Sequence, residues 1–238
     1  FQPVGKYNIG VTAGIEATIV DQSWIQGVNR MDLTLTSSAH SKEIFTKTTW
    51  EVKDNKTGQI TSKVQVSKPI EVLLEGADLT KYFKTTSNID LSSIPESFCF
   101  LCVGHWLKGE YGHDRKDIGF TIKSFFETFK NKPNQPALIL KTSHATTSIM
   151  DKSSLLKKIE SIRRTSKGKL PNVYVIHGDL SDSEINEMYN HSKVKAMVSL
   201  TRGEGFGRPL LEFSLIGKPI IASGWSGHID FLDKEYTT

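Results

Sequence analysis

Apolar residues in the second half of the chain alternate between short continuous runs and runs with helical spacing. Continuous runs predict strands, and apolar residues that recur every three or four positions predict helices. Strands are predicted at 98–103, 137–140, 172–176, 196–200 and 219–222, and helices at 116–129, 153–164, 183–191 and 209–216. Asp182 or Ser183 is the expected cap of the third helix. Five strands with four intervening helices are typical of a parallel, doubly wound sheet.

The first half follows the same alternation less regularly. Its predicted strands lie at 8–12, 32–36 and 70–74, with helices at 23–29 and from Ser38 or Ser41 onward. A polar stretch at 46–67 with a Lys-Thr-Gly turn predicts a hairpin insertion. This half resembles the end of another α/β domain, and the polar segment 84–96 contains the expected linker.

Composition narrows the class of protein. The chain has 238 residues, 37% of them apolar, so it can bury an ordinary core. Its net charge of +4 is scattered, which excludes a nucleic-acid-binding tail. No apolar run is long enough to cross a bilayer, and no secretory signal is visible, so a cytoplasmic protein is expected. Because the sequence starts at Phe1 rather than Met, we expect its natural beginning to be missing.

Cys99 and Cys102 form a C-x-x-C motif that could indicate a redox pair or a zinc site. The surrounding apolar run predicts a buried strand, in which residues three apart point to opposite faces. Redox pairs need a helix start to bring the sulfurs together. We therefore expect two core thiols.

The glycine-rich segment 201–209 carries the strongest chemical signal. It follows a predicted strand and precedes a predicted helix, with Pro209 suited to the first helical turn. Glycines ahead of a helix let main-chain N–H groups approach a ligand, and the helix dipole favours an anion such as a diphosphate. The spacing of Gly203, Gly205 and Gly207 departs from the G-x-G-x-x-G pattern of dinucleotide sites, and Arg208 stands where the third glycine would fall.

Two carboxylates, Glu204 in this segment and Glu212 in the helix that follows, have seven residues between them. A carboxylate would repel a phosphate, so both are expected to accept hydrogen bonds from hydroxyl groups. A diphosphate between two sets of hydroxyls describes a nucleotide sugar. The E-x7-E spacing within GEGFG-x-P resembles the donor-binding motif of retaining glycosyltransferases of the GT-B fold, especially family 4, also called glycosyltransferase group 1.

The resemblance implies roles for the matching residues. Glu204 would bind hydroxyls of the transferred sugar, and Glu212 would bind the ribose of the nucleotide. The amides of Gly205, Phe206 and Gly207 would bind the sugar and the diphosphate. Because a helix start and basic side chains stabilise negative charge, Arg202 and Arg208 are further candidates for the departing diphosphate.

A second match lies earlier in the chain. The family shows V-G-R after a strand, followed by K-G or K-D at a helix start, with the Arg and the Lys binding the diphosphate. Here Val103-Gly104-His105 precedes a longer loop and Arg115-Lys116-Asp117. Lys116 fits the family Lys, whereas either His105 or Arg115 would replace the family Arg. A metal site at His105 and His113 lacks further ligand spacing, so no metal is expected.

Weaker matches complete the pattern. Backbone between His177 and Leu180 follows a strand where the family places the base, and the segment 223–228 resembles a glycine-rich stretch near the donor. Glu75-Gly76-Ala77-Asp78 resembles the N-G-V-D stretch that leads towards the family's linker. The resemblance implies the α/β GT-B fold, with two Rossmann-like domains: an incomplete N-terminal, acceptor-side domain at 1–90, a linker at 91–97, and a nucleotide-sugar-binding domain at 98–238.

The implied reaction moves a sugar from a nucleoside-diphosphate sugar to an acceptor hydroxyl with retained configuration, and needs no cofactor and no obligatory metal. The expected enzyme is a hexosyltransferase type, with Glu204 and Lys116 as its catalytic candidates. The acceptor could be a carbohydrate, a lipid or a protein, which leaves peripheral membrane contact open; no nucleic acid is expected. Family members also carry an N-terminal glycine-rich loop and C-terminal crossing helices, so this chain is expected to be incomplete. Alternatives are a nucleotide-sugar epimerase, a phosphorylase, for which no pyridoxal-phosphate lysine is visible, and a binding fragment without catalysis.

Overall fold

The computed structural model describes residues 1–107, 112–144 and 146–232 and forms two compact units. The first unit contains Phe1–Gly76, Gly203–Gly207 and Trp225–Phe231, and the second contains Ala77–Arg202 and Arg208–Gly224 together with Leu232. The expected linker at 91–97 lies inside the second unit. The division of the chain into domains at 1–90 and 98–238 stays a prediction.

The first unit is built on a small parallel sheet. Its elements are β1 (Ile9–Thr12), α1 (Gln22–Val28), β2 (Leu33–Thr36), α2 (Ala39–Lys47), β3 (Trp50–Lys53), β4 (Ile60–Val64) and β5 (Ile70–Val72). The sheet has the order β1-β2-β5, and both strand pairs are parallel. The predicted hairpin insertion is confirmed, because β3 and β4 form an antiparallel pair of their own.

Side-chain caps define where the helices of the first unit begin. The Asp21 carboxylate accepts from the N–H of Ser23 ahead of α1. Of the two serines proposed for the start of α2, Ser38 is the cap, since its hydroxyl accepts from the Ser41 N–H at 3.2 Å. The helices and the sheet enclose one apolar core, formed by Ile15, Val20, Ile25, Val28, Phe45 and Ile70.

The second unit confirms the predicted doubly wound sheet. Its elements are β6 (Cys99–Val103), α3 (Ile118–Phe129), β7 (Ala137–Lys141), α4 (Ile149–Arg164), β8 (Val173–Ile176), α5 (Asp182–Asn190), β9 (Val194–Ser199), α6 (Arg208–Ser214) and β10 (Ile220–Ala222). All strand pairs are parallel, in the order β10-β9-β6-β7-β8. The strand order reverses between β6 and β9, and ligands of such sheets bind at the carboxyl edge near this point.

Two predicted helix starts in the second unit were wrong. Helix α4 begins at Ile149 instead of 153, because the Ser148 hydroxyl caps it by accepting from the Asp151 N–H. Helix α5 is capped by Ser181, not by Asp182 or Ser183, since Ser181 and Glu184 form a reciprocal capping box. In both cases the true cap lies further toward the N-terminus than the apolar periodicity indicates.

The core of the second unit contains the two cysteines as free thiols. Both Cys99 and Cys102 are buried in β6, and neither forms a disulfide, as predicted. Burial raises the pKa of the Cys99 thiol to about 11. Four apolar side chains of α3 are packed toward the sheet: Ile118, Ile122, Phe125 and Phe126. Their spacing is the one that predicted the helix.

Candidate functional site

A pocket of about 240 Å³ lies at the carboxyl ends of β6 and β7 in the second unit. Arg115, Lys116, Lys141 and His105 line it, and none of the described lining residues is a carboxylate. The remaining lining residues are Val103, Gly104, Thr142, Ser143, Ile185 and Pro209. Three basic side chains in the lining of one pocket favour an anionic ligand. The structure thus brings together three of the predicted donor-binding residues, namely His105, Arg115 and Lys116.

Lys116 is positioned by the turn that precedes α3. The Asp114 carboxylate accepts from the N–H of Ile118 at 3.0 Å and of Lys116 at 3.3 Å, which fixes the helix start. Asp117 then adopts a left-handed backbone with φ of 49°, a conformation that suits Gly, Asn and Asp. The aliphatic stem of Lys116 lies over Gly104, whose added Cβ would stand 3.5 Å from it.

His105 is held by a hydroxyl from the neighbouring strand. Its Nδ1 lies 2.8 Å from the Oγ of Ser143, just beyond the end of β7. The backbone around it continues the sheet ladder, since Gly104 donates to the Lys141 carbonyl at 3.1 Å and Trp106 to the Ser143 carbonyl at 3.0 Å. The sequence left His105 and Arg115 as alternatives, and the structure has both in the same lining.

Lys141 connects the pocket to the loop that follows β8. Its ammonium group donates to the carbonyl of Gly178 at 2.7 Å, and burial lowers the pKa of Lys141. His177 and Leu180, the predicted base contacts, lie in this loop but outside the pocket lining. The Nε2 of His177 is shielded from solvent and has no hydrogen-bond partner within the described part of the chain.

Sequence reasoning missed Lys141, Thr142 and Ser143. Their signal was present, because these three polar residues directly follow the apolar run of β7. In a parallel sheet the residues just after a strand lie at the carboxyl edge, where ligands bind. A polar triplet at this position therefore deserved the same weight as the residues after β6.

Glu212 is a buried carboxylate on α6, with 7% of its surface exposed. Its Oε1 lies 3.3 Å from an Nη of Arg208, and the Tyr189 hydroxyl donates to Oε2 at 3.4 Å. Burial raises the pKa of Glu212, although both partners act against that shift. Arg208 pairs with this carboxylate, and Arg202 lies 3.6 Å from Asp117, so neither arginine lines the pocket.

The glycine-rich segment 203–207 belongs to the first unit. A Cβ on Gly203 would stand 1.9 Å from the carbonyl oxygen of Glu16, and one on Gly205 would stand 2.5 Å from that of Ala13. Such distances are incompatible with any side chain unless the backbone moves. The two glycines are thus required by the loop after β1, a reason additional to the ligand approach that the sequence predicted.

The backbone of Glu204 is clamped by a serine from the segment 225–231. Its N–H donates to the Oγ of Ser226 at 2.7 Å, and the same hydroxyl donates back to the Glu204 carbonyl at 2.6 Å. Ser226 has a left-handed φ of 81°, which non-glycine residues rarely adopt. Backbone strain of this kind concentrates at functional sites.

The remaining members of the glycine-rich segment have structural roles within the first unit. The Phe206 ring is buried and packs on Phe231, with 5.0 Å between the ring centroids. Gly207 has a φ of 98°, a left-handed conformation that glycine adopts without strain. The side chain of Phe206 is therefore a core residue, and only its amide remains a donor-binding candidate.

No cluster of metal-ligating side chains is found in the parts of the chain that the structure describes. No three His, Cys, Asp or Glu side chains there are arranged to hold a metal ion. His105 is bonded to Ser143, and His113 is exposed. No helix among residues 1–107, 112–144 and 146–232 is long and apolar enough to span a bilayer.

The C-terminal third of the chain matches a known protein family. Residues 156–237 match the family model described as Glycosyl transferases group 1. This match includes β8, β9, α6, the glycine-rich segment and both carboxylates of the E-x7-E pattern. Among curated proteins, none matches the chain.

Solved structures share the fold over most of the chain. Sucrose-phosphate synthase from Thermosynechococcus elongatus matches with a TM-score of 0.59 and 14% identity, over 90% of this chain and 47% of that one. TarM matches with a TM-score of 0.62 and 13% identity, over 97% of this chain and 39% of that one. The pneumococcal O-GlcNAc transferase GtfA, in complex with UDP and GlcNAc, matches with a TM-score of 0.57 and 15% identity. The match covers 98% of this chain and 41% of that one.

The fold is the α/β fold with parallel sheets of GT-B glycosyltransferases. At these levels of identity the likeness concerns architecture, and residue roles need their own argument. This chain spans less than half the length of each of the three structures.

Proposed function

We propose that this protein is a retaining, family 4 glycosyltransferase that moves a hexose from a nucleoside-diphosphate sugar to an acceptor hydroxyl. The observation that carries the proposal is the cationic pocket at the carboxyl edge of the second-unit sheet. Its Arg115, Lys116 and Lys141 side chains supply positive charge where a doubly wound sheet binds its ligand. The family match of residues 156–237 and the UDP bound to GtfA support a nucleotide donor.

The pocket chemistry suits the diphosphate of such a donor. During glycosyl transfer, negative charge develops on the departing diphosphate. Hydrogen-bond donors and positive charges that are already in position stabilise that charge best. Lys116 is fixed by the capped start of α3, and His105 by its bond to Ser143, so both are held in place before the ligand binds. We assign the diphosphate to Lys116, Arg115 and His105, with no cofactor and no obligatory metal.

The carboxylates are assigned to the hydroxyls of the donor. Glu212 is held on α6 with both oxygens engaged, and we assign it to the ribose, whose hydroxyls can replace the long contacts to Arg208 and Tyr189. Glu204 is assigned to the transferred sugar, and the amides of Gly205, Phe206 and Gly207 to the sugar and diphosphate. Backbone between His177 and Leu180 is assigned to the base. A cytoplasmic location goes with a soluble donor of this kind.

Nucleotide binding tests the proposal first. UDP, GDP or ADP should raise the melting temperature, whereas NAD should not. Lys116→Met should weaken nucleoside-diphosphate binding at least about tenfold, equivalent to about 1.4 kcal/mol, by calorimetry. The matched control is Lys157→Met, which removes an exposed charge on α4 outside the pocket and should leave the affinity unchanged. Stabilisation by NAD alone would refute the proposal.

Turnover separates transfer from the alternatives. Radiolabelled nucleotide sugars, incubated with and without candidate carbohydrate, lipid and protein acceptors, should give a glycosylated product only with an acceptor. Proton NMR of that product should show the anomeric configuration of the donor. Conversion of the donor without an acceptor would identify an epimerase, and binding without turnover would identify a binding module.

A further inference from the structure

Thr142 is a buried threonine just after β7 whose hydroxyl is unpaired within the part of the chain that the structure describes. The residue is 2% exposed, and its Oγ has no hydrogen-bond partner among the described residues. Its N–H continues the sheet by donating to the Ile176 carbonyl at 3.3 Å. The backbone is thus accounted for, and the side-chain oxygen is not.

An unpaired buried hydroxyl is unfavourable for the free protein. Leaving such a group unsatisfied costs about 1–3 kcal/mol, and a valine of the same shape would avoid this cost. The strand that precedes Thr142 is apolar and buried from Ala137 to Leu140, so the local environment accepts aliphatic side chains. A buried hydroxyl that stays unpaired in the ligand-free protein therefore needs an explanation other than packing.

The location of Thr142 supplies that explanation. Thr142 is a lining residue of the pocket that also contains Arg115, Lys116 and Lys141. One step of about 120° between staggered rotamers moves the hydroxyl of a threonine to the position that its methyl group or its β-hydrogen held. The hydroxyl can therefore be presented to an anion that the three cations attract, and a hydroxyl donates well to a phosphate oxygen.

We propose that Thr142 is a phosphate-binding residue of this pocket, and that its hydroxyl donates to a non-bridging oxygen of the donor's diphosphate. The inference rests on the proposed function and adds a neutral donor to the three cations. Thr34 shows that an unpaired hydroxyl alone is not sufficient evidence. It is also fully buried and unpartnered among the described residues, yet it lies in β2 of the first unit and lines none of the described pockets.

The experiment compares Thr142→Val with Thr34→Val, using UDP and inorganic pyrophosphate as probes. Each substitution removes one unpaired buried hydroxyl, so both free variants should melt at or above the temperature of the wild type. Thr142→Val should weaken the binding of both probes three- to tenfold, whereas Thr34→Val should leave both affinities unchanged. Thr142→Ser keeps the hydroxyl and should bind like the wild type.

The outcomes distinguish this inference from the proposed function. Equal affinity of the wild type and Thr142→Val for both probes would overturn the role of Thr142 and leave the donor site standing. Weak binding by Thr142→Ser as well would assign the loss to packing and would also overturn it. A wild type that binds neither pyrophosphate nor any of UDP, GDP and ADP would refute the proposed function itself.

Discussion

Both parallel sheets have a pocket at their carboxyl edge, and the two pockets differ in the charge of their lining. In the second unit, the described lining of the pocket at this edge contains three Lys and Arg side chains, one His and no carboxylate. In the first unit, a pocket of about 350 Å³ follows β1, β2 and β5, and no basic residue is among its described lining residues. It is lined by Val11, Thr12, Ala13, Leu35, Thr36, Ser37, Leu73, Leu74 and Glu75.

This contrast teaches that the fold supplies a location and the side chains supply the ligand. Parallel sheets direct their carboxyl ends to one edge, whatever residues follow the strands. The basic lining in the second unit suits a diphosphate. The lining in the first unit offers Thr36, Ser37 and a single carboxylate, which are groups that bind hydroxyls rather than phosphates. The difference agrees with the proposal that the nucleotide binds to the second unit.

The largest expected effect is a loss of stability caused by a substitution in the first unit. Gly203→Ala places a methyl group against the Glu16 carbonyl, so the backbone must move. We expect the free energy of unfolding to fall by about 2–4 kcal/mol, measured by denaturant titration. Gly224→Ala is the control, because nothing lies within 4 Å of its added Cβ. Equal stability of the two variants would show that the close approach is not required.

The substitution Glu212→Gln tests nucleotide binding to the second unit. It removes the charge from the carboxylate assigned to the ribose, so UDP should bind about tenfold more weakly, equivalent to about 1.4 kcal/mol. Inorganic pyrophosphate has no ribose and should bind the variant as it binds the wild type. Calorimetry with both ligands checks the prediction, and an unchanged affinity for UDP would contradict the role of Glu212.

The same variant should alter how stability depends on pH. Because burial raises the pKa of Glu212 above 4.5, the folded state holds this proton more tightly than the unfolded state. Its stabilising contribution is complete below the unfolded pKa and is lost as pH rises through the folded pKa. Glu212→Gln should therefore gain stability relative to the wild type as pH rises above 4.5. Melting temperatures measured from pH 4 to pH 8 test this, and a constant difference would contradict it.

The smallest effect concerns the bond between Ser143 and His105. Ser143→Ala should weaken pyrophosphate binding about threefold, because His105 loses the hydroxyl that orients its ring. In a double-mutant cycle with His105→Ala, the two losses should couple by about 0.5–1.5 kcal/mol. Additive losses would mean that Ser143 does not act through His105.

Local patterns predicted most of the fold. The alternation of apolar runs gave all five strands of the second sheet and the helices between them, because periodicity depends on neighbours in sequence. Caps such as Ser148 and Ser181 were missed where polar turns extend a helix beyond its apolar face. Strand order was outside the reach of these patterns, since pairing is decided by contacts across the sheet.

The candidate site was also predicted only in part from local sequence. The motif residues His105, Arg115 and Lys116 were predicted, and the structure brings them together. The bond from His105 to Ser143 joins residues 38 positions apart, and the clamp of Ser226 on Glu204 joins residues 22 apart. Neither follows from local sequence. The roles of Glu204, Glu212, His177 and Leu180 toward a ligand stay predictions.

Two anchors hold the pocket residues His105 and Lys116 in place. Trp106 is buried in the core beneath Lys158, and the Asp114 carboxylate accepts from the Ile118 N–H at the start of α3, so the chain is fixed just after His105 and just before Lys116. Each of the two groups proposed to bind phosphate therefore has its own anchor in the second unit. The position of one group thus does not depend on the anchor of the other.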